Sequence, residues 1–208
     1  MLVYHPMRDE YGRPVLLKKP SLPTALSAWR RADAVVTVIP HGAAPAALNG
    51  IPFAPWLAVP TSAQAWNNVA GLCACEEPPF DPPAGKMPAA GVVVEEPDGR
   101  IWLVAPSNGY GGYKATFPKG RIEENVNRQG NAIREAYEEA GLQVAITGFF
   151  ADSNRSQSYT RYYRAQRTGG NPALMGWESQ AVHLVPRGAL ADFLTHPNDL
   201  PLLALLVR

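Results

Sequence analysis

The chain has 208 residues, of which 46% are hydrophobic, and its 19 basic and 18 acidic residues give a formal net charge of +1. This length allows one full hydrophobic core plus a smaller unit, and the balanced charge favours neither a membrane partner nor a specific nucleic-acid partner. No signal-peptide pattern is visible, and no apolar run approaches the roughly 20 residues that span a bilayer, so we expect a cytoplasmic protein.

Residues 1–77 predict a small N-terminal αβ unit of unknown role. Leu22, Leu26 and Trp29 are spaced at i, i+4 and i+7, which predicts a short helix. The predicted elements are a helix, two strands and a second helix, at residues 22–29, 34–39, 57–60 and 61–72. Because the tryptophans carry more apolar area than so short a unit buries alone, we expect it to pack on the rest of the chain or on a second copy.

A proline-rich linker is predicted at residues 78–88, between this unit and a domain over residues 89–208. Five prolines stand there among acidic and small residues, and such segments lack backbone donors and stay extended. Just before the linker, Cys73 and Cys75 lack the second ligand pair that a structural zinc site needs. We expect both to be reduced thiols.

Beyond the linker the pattern changes to apolar strands. Two apolar runs flank the turn residues Pro97, Asp98 and Gly99, which predicts a β-hairpin. A helix is expected to begin near Val126 and to end at Gly141, because glycine suits the left-handed residue after a helix. The further strands and a last helix are predicted at residues 144–150, 160–166, 181–185 and 186–194.

The predicted helix carries three glutamates on one face. Glu135, Glu138 and Glu139 stand at i, i+3 and i+4, so their carboxylates crowd together. Like charges at this spacing repel each other, so the arrangement needs either open solvent or a cation between the carboxylates. Magnesium prefers carboxylate oxygens and bridges to substrate phosphates. Taken alone, the three glutamates favour a solvated acidic face.

The surrounding residues favour a cation site over a solvated face, because residues 120–142 resemble the Nudix box. This box is Gly, five residues, Glu, seven residues, then Arg-Glu-apolar-x-Glu-Glu-x-Gly-apolar. The matching positions are Gly120, Arg134, Glu135, Ala136, Glu138, Glu139, Gly141 and Leu142. The resemblance covers about residues 87–208. It implies the α/β fold of a Nudix hydrolase, an α/β/α sandwich around a mixed β-sheet, with the small N-terminal αβ unit outside it.

The same resemblance implies a set of site residues. The expected ligands of Mg²⁺, with Mn²⁺ as the alternative, are Gly120, Glu135, Glu138 and Glu139. Arg134 would orient the helix carboxylates, and the base would be Glu139 or a residue outside the box. Outside it, Glu178 stands in a segment similar to the Glu-x-Gln-Ala segment of Nudix diadenosine tetraphosphate hydrolases, where this Glu serves the metal centre. Alternatively, Glu178 begins an exposed strand.

The residues before the helix bear on the substrate. Pro118, Lys119 and Gly120 resemble the Pro-Lys-Gly segment of the branch that acts on dinucleoside polyphosphates and diphosphoinositol polyphosphates. Lys119 and Arg121 are candidates for substrate binding through phosphate oxygens, or are solvated turn cations. Arginines and tyrosines also alternate over residues 155–167, which favours either phosphate and base recognition or an ordinary solvated edge strand.

One position departs from the box. Val126 stands where the family has its first Glu, which commonly pairs with the box Arg. Arg134 therefore needs another carboxylate, from Glu123 or Glu124. Without one, the metal affinity and the reaction rate would both be reduced.

The expected function is Mg²⁺-dependent cleavage of a diphosphate linkage in a nucleoside diphosphate derivative, with a dinucleoside polyphosphate as the first choice of substrate. The alternatives are an ADP-ribose or nucleotide-sugar pyrophosphatase, or a catalytically weakened Nudix-like module that only binds nucleotides. Substrate choice in the family depends on loops outside the box, so the sequence leaves it open, together with a homodimeric state.

Overall fold

The computed structural model describes residues 2–207, and a mixed β-sheet is its largest element. The strands and α-helices, in chain order, are β1 (Val3–Arg8), β2 (Pro14–Leu17), β3 (Val36–Val38), β4 (Ala47–Leu48), β5 (Ile51–Pro52), α1 (Ala63–Trp66), β6 (Met87–Glu95), β7 (Ile101–Pro106), β8 (Lys119–Arg121), α2 (Arg128–Ala140), β9 (Leu142–Asn154), β10 (Ser158–Gly170), β11 (Ser179–Val185) and α3 (Leu200–Leu206). Short 3-10 turns lie at Leu26–Arg30, Ser107–Gly112, Pro172–Leu174 and Arg187–Asp192.

Seven strands form the main sheet, in the order β3-β11-β7-β6-β10-β9, with β8 paired to β6. β10 runs parallel to β6 and antiparallel to β9, so the sheet is mixed, as predicted. The predicted hairpin is formed by β6 and β7, which pair antiparallel. Two further pairs, β1 with β2 and β4 with β5, stand outside the main sheet.

The sheet separates two hydrophobic cores, with α2 and the short α1 packed on one face and α3 on the other. Ile133 of α2 lies in the first core with Trp102, whereas Leu202 of α3 lies in the second. Successive strand residues alternate between the cores, as Val92 and Val93 do, because side chains point to opposite faces of a strand. The predicted α/β/α sandwich around a mixed sheet is confirmed.

The predicted glutamate-bearing helix is α2, which begins two residues after Val126. Asn127 caps its start by accepting a hydrogen bond from the N–H of Gly130 at 2.6 Å. Gly141 ends it in the left-handed conformation, with φ of 67°, as the sequence predicted. Val126 is buried in the first core, with 7% of its surface exposed.

The N-terminal unit packs on the domain and extends its sheet. β3 pairs antiparallel with β11, which adds an edge strand from outside the Nudix-like region. Trp29 lies 6.3 Å from Trp102, and Trp56 meets Tyr137 of α2 edge to face at 5.4 Å. The tryptophans are therefore covered by the domain, as expected from their area. The boundaries 1–77, 78–88 and 89–208 stay a prediction.

Two segments predicted as regular structure are irregular and exposed. Leu22 is 85% exposed, and only Leu26–Arg30 forms a 3-10 turn. Leu57, predicted on a strand, is 93% exposed and lies outside any strand. The residue before a proline avoids the helical conformation, and proline donates no ladder hydrogen bond, so Pro23 and Pro60 oppose both elements.

The helix predicted over residues 61–72 is reduced to Ala63–Trp66. Ser62 caps its start. The residue after its last turn is Asn67, whose side chain donates to the carbonyl of Asn125 at 2.8 Å. This long-range hydrogen bond fastens the end of α1 to the loop before α2.

The last predicted helix, over residues 186–194, is instead the 3-10 turn Arg187–Asp192, and an α-helix follows only at Leu200. Within residues 2–207, no helix combines the length and the apolar character needed to cross a membrane.

Candidate active site

Glu135 lies where α2 meets β8. The residue is 6% exposed, and its carboxylate lies directly against Gly120, where an added Cβ would overlap the carboxylate atoms. Glycine therefore lets β8 approach the helix while Glu135 keeps its position. Gly120 pairs with Ala90 of β6, so this contact is fixed to the main sheet.

Glu139 is held at the same junction by a backbone donor. The N–H of Lys119 donates to its Oε2 at 2.9 Å, which orients one carboxylate oxygen. Glu135 and Glu139 thus join α2 to β8 one helical turn apart. Glu138 is exposed on the solvent side of the same turn.

Arg134 contacts the carboxylates that it was expected to orient. Its Nη2 lies 3.3 Å from Oε1 of Glu135, and its Nε lies 3.7 Å from Oε2 of Glu138. Its Nη1 forms an ion pair with Glu123. The sequence left Glu123 and Glu124 open as partners, and the structure selects Glu123.

The carboxylates carry like charge at short range. Burial, followed by the charge of Glu139, raises the pKa of Glu135 well above its ordinary value. Burial raises the pKa of Glu139 to about 7, where Lys119 opposes the shift and the charge of Glu178 adds to it. The site therefore holds more negative charge than its own cations offset.

This charge suits a divalent cation. Within residues 2–207, no three His, Cys, Asp or Glu side chains converge closely enough to form a ready-made metal site. However, Glu138 and Glu178 are exposed, and exposed side chains change rotamer freely. Carboxylate oxygens are the ligands that magnesium prefers, and the excess negative charge supplies the attraction. The residues present therefore fit the expected metal.

Comparison with known proteins identifies the family. The NUDIX domain model matches residues 85–206, more than half of the chain. The chain belongs to the Nudix family. An RNA pyrophosphohydrolase of Caulobacter vibrioides is 32% identical over 95 residues, which are 45% of this chain and 52% of that protein. The chain therefore aligns with only about half the length of this curated relative.

A solved structure supports the fold assignment. A NUDIX hydrolase from Nitrosomonas europaea has 21% identity and a TM-score of 0.50, over 59% of this chain and 70% of that one. An Ap4A hydrolase from C. elegans has 20% identity and a TM-score of 0.46, over 57% of this chain and 92% of that one. At 21% identity the likeness to the Nitrosomonas structure concerns the fold alone.

Glu178 lies just before β11 and faces the Nudix helix. Its charge contributes to the raised pKa of both Glu135 and Glu139. Burial and then the charge of Glu10 raise the pKa of Glu178 itself. Glu10 comes from the turn between β1 and β2, outside the Nudix match. Sequence reasoning missed Glu10 because no motif marks it.

The two predicted substrate-binding cations differ in position. Lys119 lies among the Nudix carboxylates, and its Nζ is 5.6 Å from the centroid of the Tyr113 ring. Arg121 is exposed, and among the described residues its side chain has no hydrogen bond or ion pair. The structure therefore brings Lys119 to the site and leaves Arg121 at its margin.

The arginine and tyrosine tract is not a ligand surface. Three of its four arginines are almost fully buried in ion pairs. The pairs are Arg155–Asp199 at 2.8 Å, Arg161–Asp152 at 2.7 Å and Arg167–Glu96 at 2.5 Å. β10, which carries Arg161 and Arg167, lies between two other strands of the Nudix sheet. Both interpretations, phosphate recognition and a solvated edge strand, are wrong for these arginines. Only Arg164 is exposed.

Proposed function

We propose that this Nudix protein is a divalent-metal-dependent pyrophosphohydrolase that cleaves a diphosphate linkage in a nucleoside diphosphate derivative. The observation that carries the proposal is the pair Glu135 and Glu139, fixed against β8 with excess negative charge around them. A purely solvated acidic face would leave these two carboxylates exposed and unfastened.

The proposed ligands of Mg²⁺ or Mn²⁺ are Gly120, Glu135, Glu138 and Glu139. When bound, such an ion lowers the pKa of the attacking water and stabilises charge on the phosphoryl group. Arg134 positions the carboxylates through its contacts with Glu135 and Glu138. Glu139 and Glu178 are the two candidates for accepting the proton of the water. Lys119 supplies a cation for a phosphate oxygen.

As the preferred substrate we propose a dinucleoside polyphosphate. The support is the Pro118-Lys119-Gly120 segment, with Lys119 beside the carboxylates. The alternatives are ADP-ribose and nucleotide sugars. The 5′ end of RNA is a further candidate, because the Caulobacter relative is named an RNA pyrophosphohydrolase.

A catalytically weakened binding module is the competing proposal, and it rests on Val126. The ion pair of Glu123 with Arg134 counts against it, because Arg134 has a carboxylate partner without the missing glutamate. We therefore favour an active enzyme.

The test is to incubate the purified chain with Mg²⁺ or Mn²⁺ and a panel of these substrates, and to measure released mononucleotide. Glu138→Gln and Glu139→Gln should each lower turnover by a factor on the order of 10²–10⁴, comparable to losing a metal or acid/base contribution. Glu124→Gln is the matched control, since Glu124 is exposed and, among the described residues, has no side-chain partner.

Full metal-dependent turnover by both the Glu138 and Glu139 variants would disprove the assignment. A wild-type protein that binds the nucleotides and turns none of them over would instead support the binding module.

A further inference from the structure

A cavity of about 500 Å³ lies where the segment after β2 meets the Nudix domain. Part of its wall comes from the Nudix domain, including Tyr113, Lys114 and Gln180. The rest comes from Lys18 and Lys19, which follow β2 and lie outside the Nudix match, since that match begins at residue 85. The N-terminal unit therefore contributes directly to a cavity of the domain.

The lysine segment is fastened to the domain by a reciprocal pair of hydrogen bonds. The N–H of Lys18 donates to Oδ1 of Asn108 at 2.7 Å, and Nδ2 of Asn108 donates to the carbonyl of Leu16 at 2.8 Å. Leu17, between the two bonded residues, is buried. Asn108 adopts the left-handed conformation with φ of 58°, which turns its amide toward the segment. The two lysines are thus held at the cavity wall.

The cavity has the chemistry of a nucleotide phosphate site. Within residues 2–207, the ammonium groups of Lys18 and Lys19 have no hydrogen-bond or ion-pair partner, and no Asp or Glu lines the cavity. Tyr113 and Phe193 are the aromatic residues of the wall. The side-chain Oε1 of Gln180 is buried and has no hydrogen-bond partner among the described residues. A buried acceptor without a partner is costly, and a hydroxyl or amino group of a bound nucleotide, rather than a phosphate oxygen, would donate to it.

Two residues of the cavity wall, Tyr113 and Gln180, lie next to residues of the candidate active site in space or along the chain. Tyr113 lines the cavity and lies 5.6 Å from Nζ of Lys119, whose N–H holds Glu139. Gln180 follows Glu178 by two residues, roughly 7 Å along an extended chain. In contrast, a cavity of about 490 Å³ between Phe80 and Arg128 lies at the opposite end of α2.

We propose that this cavity binds the phosphate groups of the substrate that are distal to the cleaved linkage, and that Lys18 and Lys19 are the residues of the N-terminal unit that contact them. The proposal rests on the proposed function for the position of the cleaved bond. It assigns to the N-terminal unit a part in substrate selection, in favour of substrates with longer phosphate chains.

The first test compares Lys18→Gln/Lys19→Gln with the wild-type protein on two substrates. KM for a dinucleoside tetraphosphate should rise roughly tenfold, whereas KM for ADP-ribose, with only two phosphates, should change much less. The effect should fall on KM rather than on kcat, because the lysines contact groups that do not react. A 5′-triphosphorylated RNA oligonucleotide serves as a third arm, which distinguishes an RNA end from a free dinucleotide.

The matched control is Arg30→Gln/Arg31→Gln, which removes the same charge from the same unit. Both arginines are exposed and lie outside the cavity wall. Equal effects of the two double variants on KM would show that the lysines act only through their overall charge, and this result would overturn the proposal. The difference in KM between the lysine double variant and the wild type should shrink in 1 M salt, where the Debye length falls to about 3 Å.

A second variant separates position from charge. Asn108→Gly keeps a backbone that tolerates positive φ and removes both hydrogen bonds to the lysine segment, so KM should rise although both lysines remain. An unchanged KM in this variant and in the lysine double variant would contradict the proposal.

Binding without metal or turnover tests the cavity independently of the proposed function. In EDTA, calorimetry should give a Kd for ATP roughly tenfold weaker for the lysine double variant than for the wild type. If the wild type turned over no substrate but showed this difference, the proposed function would fail and the cavity site would stand. Equal affinities, or no ATP binding to the wild type, would overturn the cavity site.

Discussion

Arg134 forms an ion pair with Glu123, three residues before the position at which the Nudix box has its first glutamate. The chain thus supplies the carboxylate from the loop that precedes α2, while Val126 fills the first core. Arg134 therefore keeps a carboxylate partner at the site, but that partner comes from a different position in the sequence.

We predict that Glu123→Gln lowers kcat/KM by roughly 10–100-fold, because outer-shell partners of metal ligands typically contribute effects of that size. The unfolding temperature should change little, since the Glu123 side chain is 58% exposed. The measurement is steady-state turnover on the best substrate of the panel, with Glu124→Gln as control. An equal loss of kcat/KM in both variants would show that the ion pair of Glu123 with Arg134 makes no specific contribution to activity.

We predict that Gly120→Ala impairs activity more than stability. The new Cβ would overlap the Glu135 carboxylate, and that group is the far end of a flexible side chain, so it can move aside. Its displacement should weaken metal binding and lower turnover by roughly 10–100-fold. The control is Gly148→Ala, where a Cβ meets open space. Calorimetric titration with Mn²⁺ and thermal unfolding measure the two effects, and unchanged metal affinity would refute the steric argument.

We predict that Val126→Glu destabilises the protein, although it restores the residue of the family pattern. Val126 is 7% exposed in the first core, and placing a carboxylate there should lower the free energy of unfolding by about 2–4 kcal/mol. Val126→Met has a similar length without the charge and should be affected less. Urea unfolding of the three proteins measures this. A Glu variant as stable as wild type and more active would mean that the carboxylate reaches Arg134 instead.

We predict a loss of stability in acid that depends on His183. Burial, followed by the charge of Lys114, lowers the pKa of His183 to about 4, while Nδ1 lies 3.0 Å from the hydroxyl of Thr37. The unfolded chain therefore binds a proton near pH 6.5 that the folded protein does not. The contribution of neutral His183 to the free energy of unfolding is fully present above pH 6.5, and it is lost as the pH falls toward 4.

The measurement is urea unfolding of wild type and His183→Gln at several pH values. Over this pH window the wild type should lose at most about 3 kcal/mol more than the variant. Parallel pH profiles of the two proteins would show that His183 does not titrate in this way.

The sequence by itself determined the Nudix helix and the order of the elements around it. Its information there is local, because the spacing of Glu135 to Glu139, the glycine that ends the helix and the alternation of strand residues act within a few positions. Asn67 shows the limit of such reasoning, since α1 ends just before it and its side chain bonds to the distant Asn125, whereas the local pattern predicts a longer helix.

Only the tertiary structure decided which charges are free and which are paired. Arg167 resembles a solvated cation in the sequence, but Glu96, which is distant along the chain, neutralises it inside the protein. Lys18 carries no motif, but Asn108 fixes it at a cavity that the N-terminal unit shares with the Nudix domain. The physical reason is common to both: the partner of a charged side chain is set by chain folding over long separations, which neither composition nor periodicity encodes.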